Sequence, residues 1–335
     1  MKYIKVLVLV FIIVFVLMVS GQAFANNILH AYTSFDSNEA KIYIKAFEKD
    51  TGIKVDWGVR MGAGEALTRL RAEANNPQVS LWFAGPSPEY ISAKNFGLLA
   101  PYESPVGKNF LAPHQKDPDN MWTGFYFGGI GFAVNTEFFK KKGLKYPTSW
   151  QDLLRRELKG KIAFAYPHIS GTAYKIIATL VQLMGEDEAF DYLEKLDKNI
   201  HHYNKSGSAC VNQVGLGEIA VGIAFSHDII KKGSAKGYPV KLTFPKEGTG
   251  YEIGAMALIK GGPEPELAKK FIDWMLSKRA QELMKQWFRI PLNPEAEVVK
   301  GAVKASEINL IDFDAIWAGN NRERLVERWR DRIGK

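Results

Sequence analysis

From residue 28 onward the chain alternates short β-branched or aromatic runs with helical periodicities. That alternation restricts it to layered α/β architectures. Ile28 to Tyr32 is the first apolar run, and Thr33-Ser34-Phe35-Asp36-Ser37-Asn38 follows with turn and N-cap residues. Tyr43, Ala46 and Phe47 then recur at helical spacing, and Thr51-Gly52 closes that element. Lys54 to Val59 reads as a second strand, Met61-Gly62-Ala63-Gly64 as a loop, and Leu67, Leu70 and Ala74 as the apolar stripe of a helix. Leu81-Trp82-Phe83-Ala84 is a third strand, and Gly85-Pro86-Ser87-Pro88 turns into the next helix. A mostly parallel sheet covered on both faces is the expected result.

The texture changes at residues 124–135, GFYFGGIGFAVN, where aromatic, β-branched and glycine residues mix without helical period. This segment reads as an extended crossing between two lobes, with Gly128, Gly129 and Gly131 permitting close backbone approach or hinge motion. A second α/β series follows. It comprises a helix capped by Ser149 and carrying Trp150, Leu153 and Leu154, a strand from Lys161 to Ala165, and a helix opened by Ser170-Gly171-Thr172. A helix over Asp187–Leu196, a strand near His201–Tyr203, a helix near Val211–Leu216 and strands at Val221–Phe225 and Ala255–Ile259 complete it. Residues 26–123 are thus expected to start lobe one, 124–135 to form the hinge crossing, and 136–247 to form lobe two. Residues 248–335 return to lobe one and end in helices packed across both.

Ahead of this body, Lys2 and Lys5 precede an apolar run from Val6 to Val19, and Ala23-Phe24-Ala25 has the small-residue spacing of a signal-peptidase site. The run is short for a membrane span and no cysteine follows it, so residues 1–25 read as a cleaved secretory signal peptide. Cys210 is the sole cysteine, which excludes an internal disulfide and suits a buried small hydrophobe. The formal charge of +8 includes the two leader lysines. The remaining excess is dispersed over Lys140-Lys141-Lys142 and the tail from Arg322, a solvated pattern rather than a nucleic-acid surface.

Ligands of open α/β sheets gather beyond the carboxyl ends of strands, where helix N-termini converge. Thr33 and Ser34 follow the first strand, Arg60 ends the second, and Gly85 and Ser87 follow the third. Ser170, Gly171 and Thr172 open a helix, and Ser206 stands in the Ser206-Gly207-Ser208 turn before another. Unpaired amides, hydroxyls and one guanidinium make such turns receptive to phosphate or carboxylate. Arg60 is also placed to be an ion-pair partner of Glu65. His227 and Asp228 end the Val221–Phe225 strand, and Glu252 precedes the following one. A bare phosphate would be repelled by these acids, so the matching guest is a small anionic organic molecule with a hydroxyl- or amine-bearing tail.

The stretches AYTSFDSN, GVRMGAGEALTRLRAE, LWFAGPSPEYISAKNFGLLAPY, GFYFGGIGFAVN, KSGSACVNQVGLGEIAVGIAFSHD and GYEIGAMALIKGGPEPELAKKFIDWMLS resemble extracellular solute-binding proteins of ABC importers. The resemblance is to the clade of ferric-ion, phosphonate and hexose-phosphate receptors. It implies a periplasmic-binding-protein-like (type II) bilobal fold, two α/β lobes joined by a hinge with a ligand cleft between them. It also implies a monomeric periplasmic receptor, with no cofactor and no resident metal, that delivers its solute to a permease and its ATPase. Ferric-binding relatives carry adjacent tyrosines where this chain reads Phe225-Ser226-His227-Asp228, and no Tyr-Tyr pair occurs anywhere in it. The His-Asp pair with a later Glu is similar to the hexose-phosphate receptors. By that similarity His227, Asp228 and Glu252 hold sugar hydroxyls while the Ser, Thr and Gly turns hold phosphate. Aminoethylphosphonate is a second candidate, and ferric ion held by His227, Asp228, Glu252 and a tyrosine such as Tyr203 a third. His201 and His202, on opposite faces of a strand, are not expected to share an ion. No G-x-S-x-G, HExxH or P-loop sequence supports a hydrolase.

Overall fold

The computed structural model describes residues 27–58 and 60–334. The leader and its cut after Ala25 lie outside them, as does Val59 at the end of the expected second strand. Among the described residues eleven strands form, in chain order, β1 (Ile28–Thr33), β2 (Lys54–Asp56), β3 (Leu81–Pro86), β4 (Leu99–Ala100), β5 (Thr123–Asn135), β6 (Ile162–Ala165), β7 (Ile200–Asn204), β8 (Val221–Phe225), β9 (Val240–Thr243), β10 (Tyr251–Ile259) and β11 (Ile290–Pro291). Their order is β2-β1-β3-β10-β5-β8-β6-β7, with β11 and β9 also paired to β5 and β4 to β10.

β5 organises the molecule. Its first half pairs with β10, from Met256 opposite Thr123 to Tyr251 opposite Gly129, and its second half pairs with β8, from Ile130 opposite Phe225 to Val134 opposite Val221. One thirteen-residue strand therefore belongs to two sheets, each covered by helices. The expectation of mostly parallel pairing holds only at the outer strands: β1 is parallel to β2 and β3, and β6 to β7 and β8, whereas β5 and β10 pair antiparallel with their neighbours. Strands that return between lobes must run against the strands they meet, and period-2 sequence patterns carry no direction.

Apolar side chains sort by lobe. Leu29, Phe35, Phe47, Phe83 and Phe271 fill one face of the first sheet and Leu67, Trp82, Tyr90 and Ile91 the other. Ile130, Trp150, Phe164, Ile177 and Phe225 form the second core, which also takes Leu325 and Trp329 of the Arg322–Ile333 helix. Cys210 is buried against Gly222, and burial pushes its thiol up to about 12. The expected helix around Trp150 is only a 3₁₀ turn, Gln151–Leu154, because the Ser149 hydroxyl accepts the Gln151 amide and bonds Glu247 instead of capping a longer element. None of the helices described is long and apolar enough to cross a membrane.

Candidate functional site

Six helices begin at one cavity between the lobes. Their N-caps, Asp36, Gly62, Pro86, Ser170, Ser208 and Phe225, all line it. Ser37–Thr51 starts from a carboxylate cap, and Ser226–Lys232 carries Asp228 in its first turn. The other four present neutral caps. Gly64 and Glu65 donate to the Ile169 carbonyl and Ala173 to the Ser170 hydroxyl, and the positive dipole ends of these helices favour an anion there, each contributing about 0.3–1 kcal/mol at exposed sites and more when buried.

Three polar side chains face this cavity without a protein partner among the described residues. The Ser34 hydroxyl is buried and makes no hydrogen bond. Arg60 forms no ion pair. Glu65, its expected partner, instead accepts the Gly62 amide at 3.3 Å. Burial lowers the Arg60 pKa, while Asp228, Asp36 and Glu65 oppose the shift through longer-range attraction. Asp228 has only the His227 ring nearby, at 3.6 Å. A buried hydroxyl such as that of Ser34 is normally satisfied, and beside it the half-buried Arg60 and Asp228 leave charge available to a solute.

Behind the trio lies a buried ion network. Arg289 donates from Nε and Nη2 to the two Glu39 oxygens at 2.6 and 2.9 Å, and from Nη1 to His227 Nε2 at 2.6 Å, with Glu252 Oε1 at 3.5 Å. Its guanidinium lies 4.2 Å from the Tyr126 ring centroid and 4.7 Å from that of Phe35. Burial, with the charges of Arg289 and Lys232, drives the His227 pKa well below its usual value, so the ring is neutral and accepts from Arg289. Burial pushes Glu252 up to about 8, against the pull of Arg289, Lys175 and the Tyr126 hydroxyl. At the rim, Lys232 Nζ bridges Asp36 Oδ2 at 2.9 Å and Ser208 Oγ at 2.7 Å.

Of the residues expected from sequence, Ser34, Arg60, Gly85, Ser170, Gly171, Thr172, His227, Asp228 and Glu252 line this one cavity. Three do not. Thr33 is fully buried, its hydroxyl accepting the Phe35 amide. Ser87 points out of the far side of its helix into a different cavity, and Ser206 stands back while Gly207 and Ser208 reach the wall. His227 takes another role than the expected hydroxyl contact. Its Nε2 is occupied by Arg289, and its Nδ1 is buried without a partner on the side where a Gly128 Cβ would come within 2.5 Å. Glu252 lies inside β10, which starts at Tyr251 rather than Ala255. Arg289, Glu39 and Tyr126 had no sequence signal. Only Asp36 was legible, as a cap.

Tyr203 donates to Asp197 and packs on Trp329, outside the cavity; the tyrosine on the cavity wall is Tyr126. Among the described residues no group of three or more His, Cys, Asp or Glu is placed to hold a metal. His201 and His202 meet through their Nδ1 atoms, 2.6 Å apart, as a hydrogen-bonded pair at the edge strand β7.

Residues 90–318 match the family described as bacterial extracellular solute-binding protein. The periplasmic binding protein AfuA of Actinobacillus pleuropneumoniae, solved with fructose-6-phosphate, is 38% identical with a TM-score of 0.88, over 91% of this chain and 98% of that one. A putative 2-aminoethylphosphonate-binding periplasmic protein of Salmonella typhimurium is 28% identical over 86% of this chain and 87% of its own. An Fe(3+)-binding periplasmic protein of Serratia marcescens is 26% identical over 85% and 83%.

Proposed function

This chain belongs to the bacterial extracellular solute-binding protein family, and from that premise we propose that it is a periplasmic receptor capturing a hexose phosphate for an ABC importer. It binds and releases solute rather than transforming it. The observation that carries the ligand reading is the mixed lining of one cavity, where four neutral-capped helix N-termini, Arg60 and Ser34 share the wall with Asp36, Asp228 and Glu252. A phosphate meets the amides, sugar hydroxyls donate to the Asp228 carboxylate, and Glu252, which keeps its proton up to about pH 8, offers a neutral carboxyl. Likeness to a receptor solved with fructose-6-phosphate supports the same reading. Aminoethylphosphonate is the second reading, because the same carboxylates suit an ammonium as well as hydroxyls.

Calorimetric titration of the purified protein with fructose 6-phosphate, glucose 6-phosphate, aminoethylphosphonate, inorganic phosphate and ferric citrate separates these ligands. Sugar phosphates should bind most tightly; inorganic phosphate matching them would defeat the assignment. Asp228→Asn should weaken sugar phosphate about tenfold by removing a charged acceptor. Inorganic phosphate should not weaken, since a repulsive charge has gone.

Glu252 sets a pH dependence with a definite sign. Its proton is held up to about pH 8, and losing it places a second negative charge beside an anionic guest. Affinity for the sugar phosphate should therefore fall as pH rises through about 8, and Glu252→Gln should flatten that limb. A wild-type affinity unchanged between pH 7 and 9 would mean that Glu252 does not titrate in the complex.

A further inference from the structure

A second cavity, of about 530 Å³, adjoins the solute site through elements the two share. The two share a wall one element thick. On β10, Glu252 faces the solute cavity while Tyr251 and Ile253 line the second, as strand alternation requires. On the Ser87–Asn95 helix, the cap Pro86 touches the first and Ser87 the second; on the Gly171–Met184 helix, Gly171 and Thr172 touch the first and Lys175, one turn on, the second. Elements of both lobes and the Ala315–Asn320 helix therefore enclose it.

Lys94 and Asp117 on its lining are paired with each other, but two donors are not. Lys175 is 1% exposed and lines the cavity, and its ammonium makes no hydrogen bond or ion pair among the described residues; its Nζ rests 3.6 Å from the Phe313 ring centroid. The Trp122 indole N–H is buried and unbonded, and Ser87 lines the same cavity. Ile91, Ile253, Phe313 and the exposed Ile316 give it an apolar wall, and Lys94, Lys116, Asp117 and Asp314 stand elsewhere on its lining. Burial lowers the Lys175 pKa to about 7, with Glu89 and Glu252 opposing the shift through space. A buried ammonium whose nearest neighbour is an aromatic face gains from a carboxylate more than a solvated one does.

We infer that this hinge cavity is a second binding site, for a small organic acid with one carboxylate and an apolar or aromatic body. The carboxylate meets Lys175 and the Trp122 and Ser87 donors, while the body fills the wall of Ile91, Ile253, Phe313 and Ile316. Because both lobes line the space, its occupancy biases lobe closure and is coupled reciprocally to solute binding.

Saturation-transfer NMR and calorimetry on the whole protein test this, with benzoate and hexanoate as probes, acetate as charge without body, and benzyl alcohol as body without charge. Benzoate and hexanoate should bind, acetate and benzyl alcohol at least about tenfold more weakly. Lys175→Met should abolish benzoate binding, and Ile316→Glu, a change on an exposed rim that leaves the core intact, should weaken it about tenfold or more. Adding benzoate should also change the apparent Kd for fructose 6-phosphate, with fructose 6-phosphate changing that for benzoate by the same factor. Benzoate binding is read directly, so it stands or falls apart from the solute assignment. No benzoate binding at millimolar concentration, or binding indifferent to both substitutions, overturns the site; binding without the reciprocal shift overturns the coupling.

Discussion

Arg289→Ala is expected to destabilise the protein by about 3–5 kcal/mol, the range found when one partner of a buried ion pair is removed. The guanidinium is 5% exposed and Glu39 1%, and their two parallel hydrogen bonds are the main compensation for burying that carboxylate. Removal leaves Glu39 charged in a dry interior or forces it to take a proton, strips His227 Nε2 of its donor, and opens a void between Phe35 and Tyr126. Urea unfolding at neutral pH measures the loss. A loss below about 1 kcal/mol would show that Glu39 protonates at little cost and that the network orients rather than stabilises. Pairing Arg289→Met with Glu39→Gln should recover much of the loss, because no unpaired charge then stays buried.

The same residue shows where sequence reading stops. Arg289 sits between Phe288 and Ile290 with no motif around it, and its partner Glu39 is 250 positions away. Only folding juxtaposes them. The strand-end loops were legible for the opposite reason: Ser34, Gly85, Ser170 and Asp228 follow apolar runs that could be nothing but strands, and Val221–Phe225 forms as read. What periodicity could not supply was direction and depth. It placed Ser87 on the correct helix but on the wrong cavity, one residue past Pro86. It likewise put Glu252 before β10, because Gly254 interrupts the apolar run that a fully buried strand needs as its signature. Gly254 is required there for another reason, since a Cβ would lie 1.9 Å from the Tyr126 ring.

Closure itself is open to a sharp test through Gly62. The Gly62–Glu65 segment of the first lobe meets backbone of the second: the Gly64 and Glu65 amides donate to the Ile169 carbonyl at 3.0 and 3.3 Å. A Cβ on Gly62 would come within 2.3 Å of that same oxygen, and one on Gly64 within 2.5 Å of the His168 carbonyl. Gly62 has φ −65° and ψ 154°, extended backbone that alanine adopts freely, so Gly62→Ala strains nothing within its own lobe. The clash exists only when the lobes meet. Overpacking of this kind costs about 1–3 kcal/mol, and a rigid backbone oxygen gives way less than a side chain does. Affinity for the sugar phosphate should thus fall by up to about a hundredfold. The loss should come mostly through faster dissociation, because the first encounter involves separated lobes. Calorimetry and stopped-flow dissociation measure the effect, and small-angle scattering should show a wider molecule in the presence of ligand than the wild type gives. An unchanged Kd would mean that the liganded protein never brings Gly62 against Ile169, and that the closed arrangement described is not the one that holds solute.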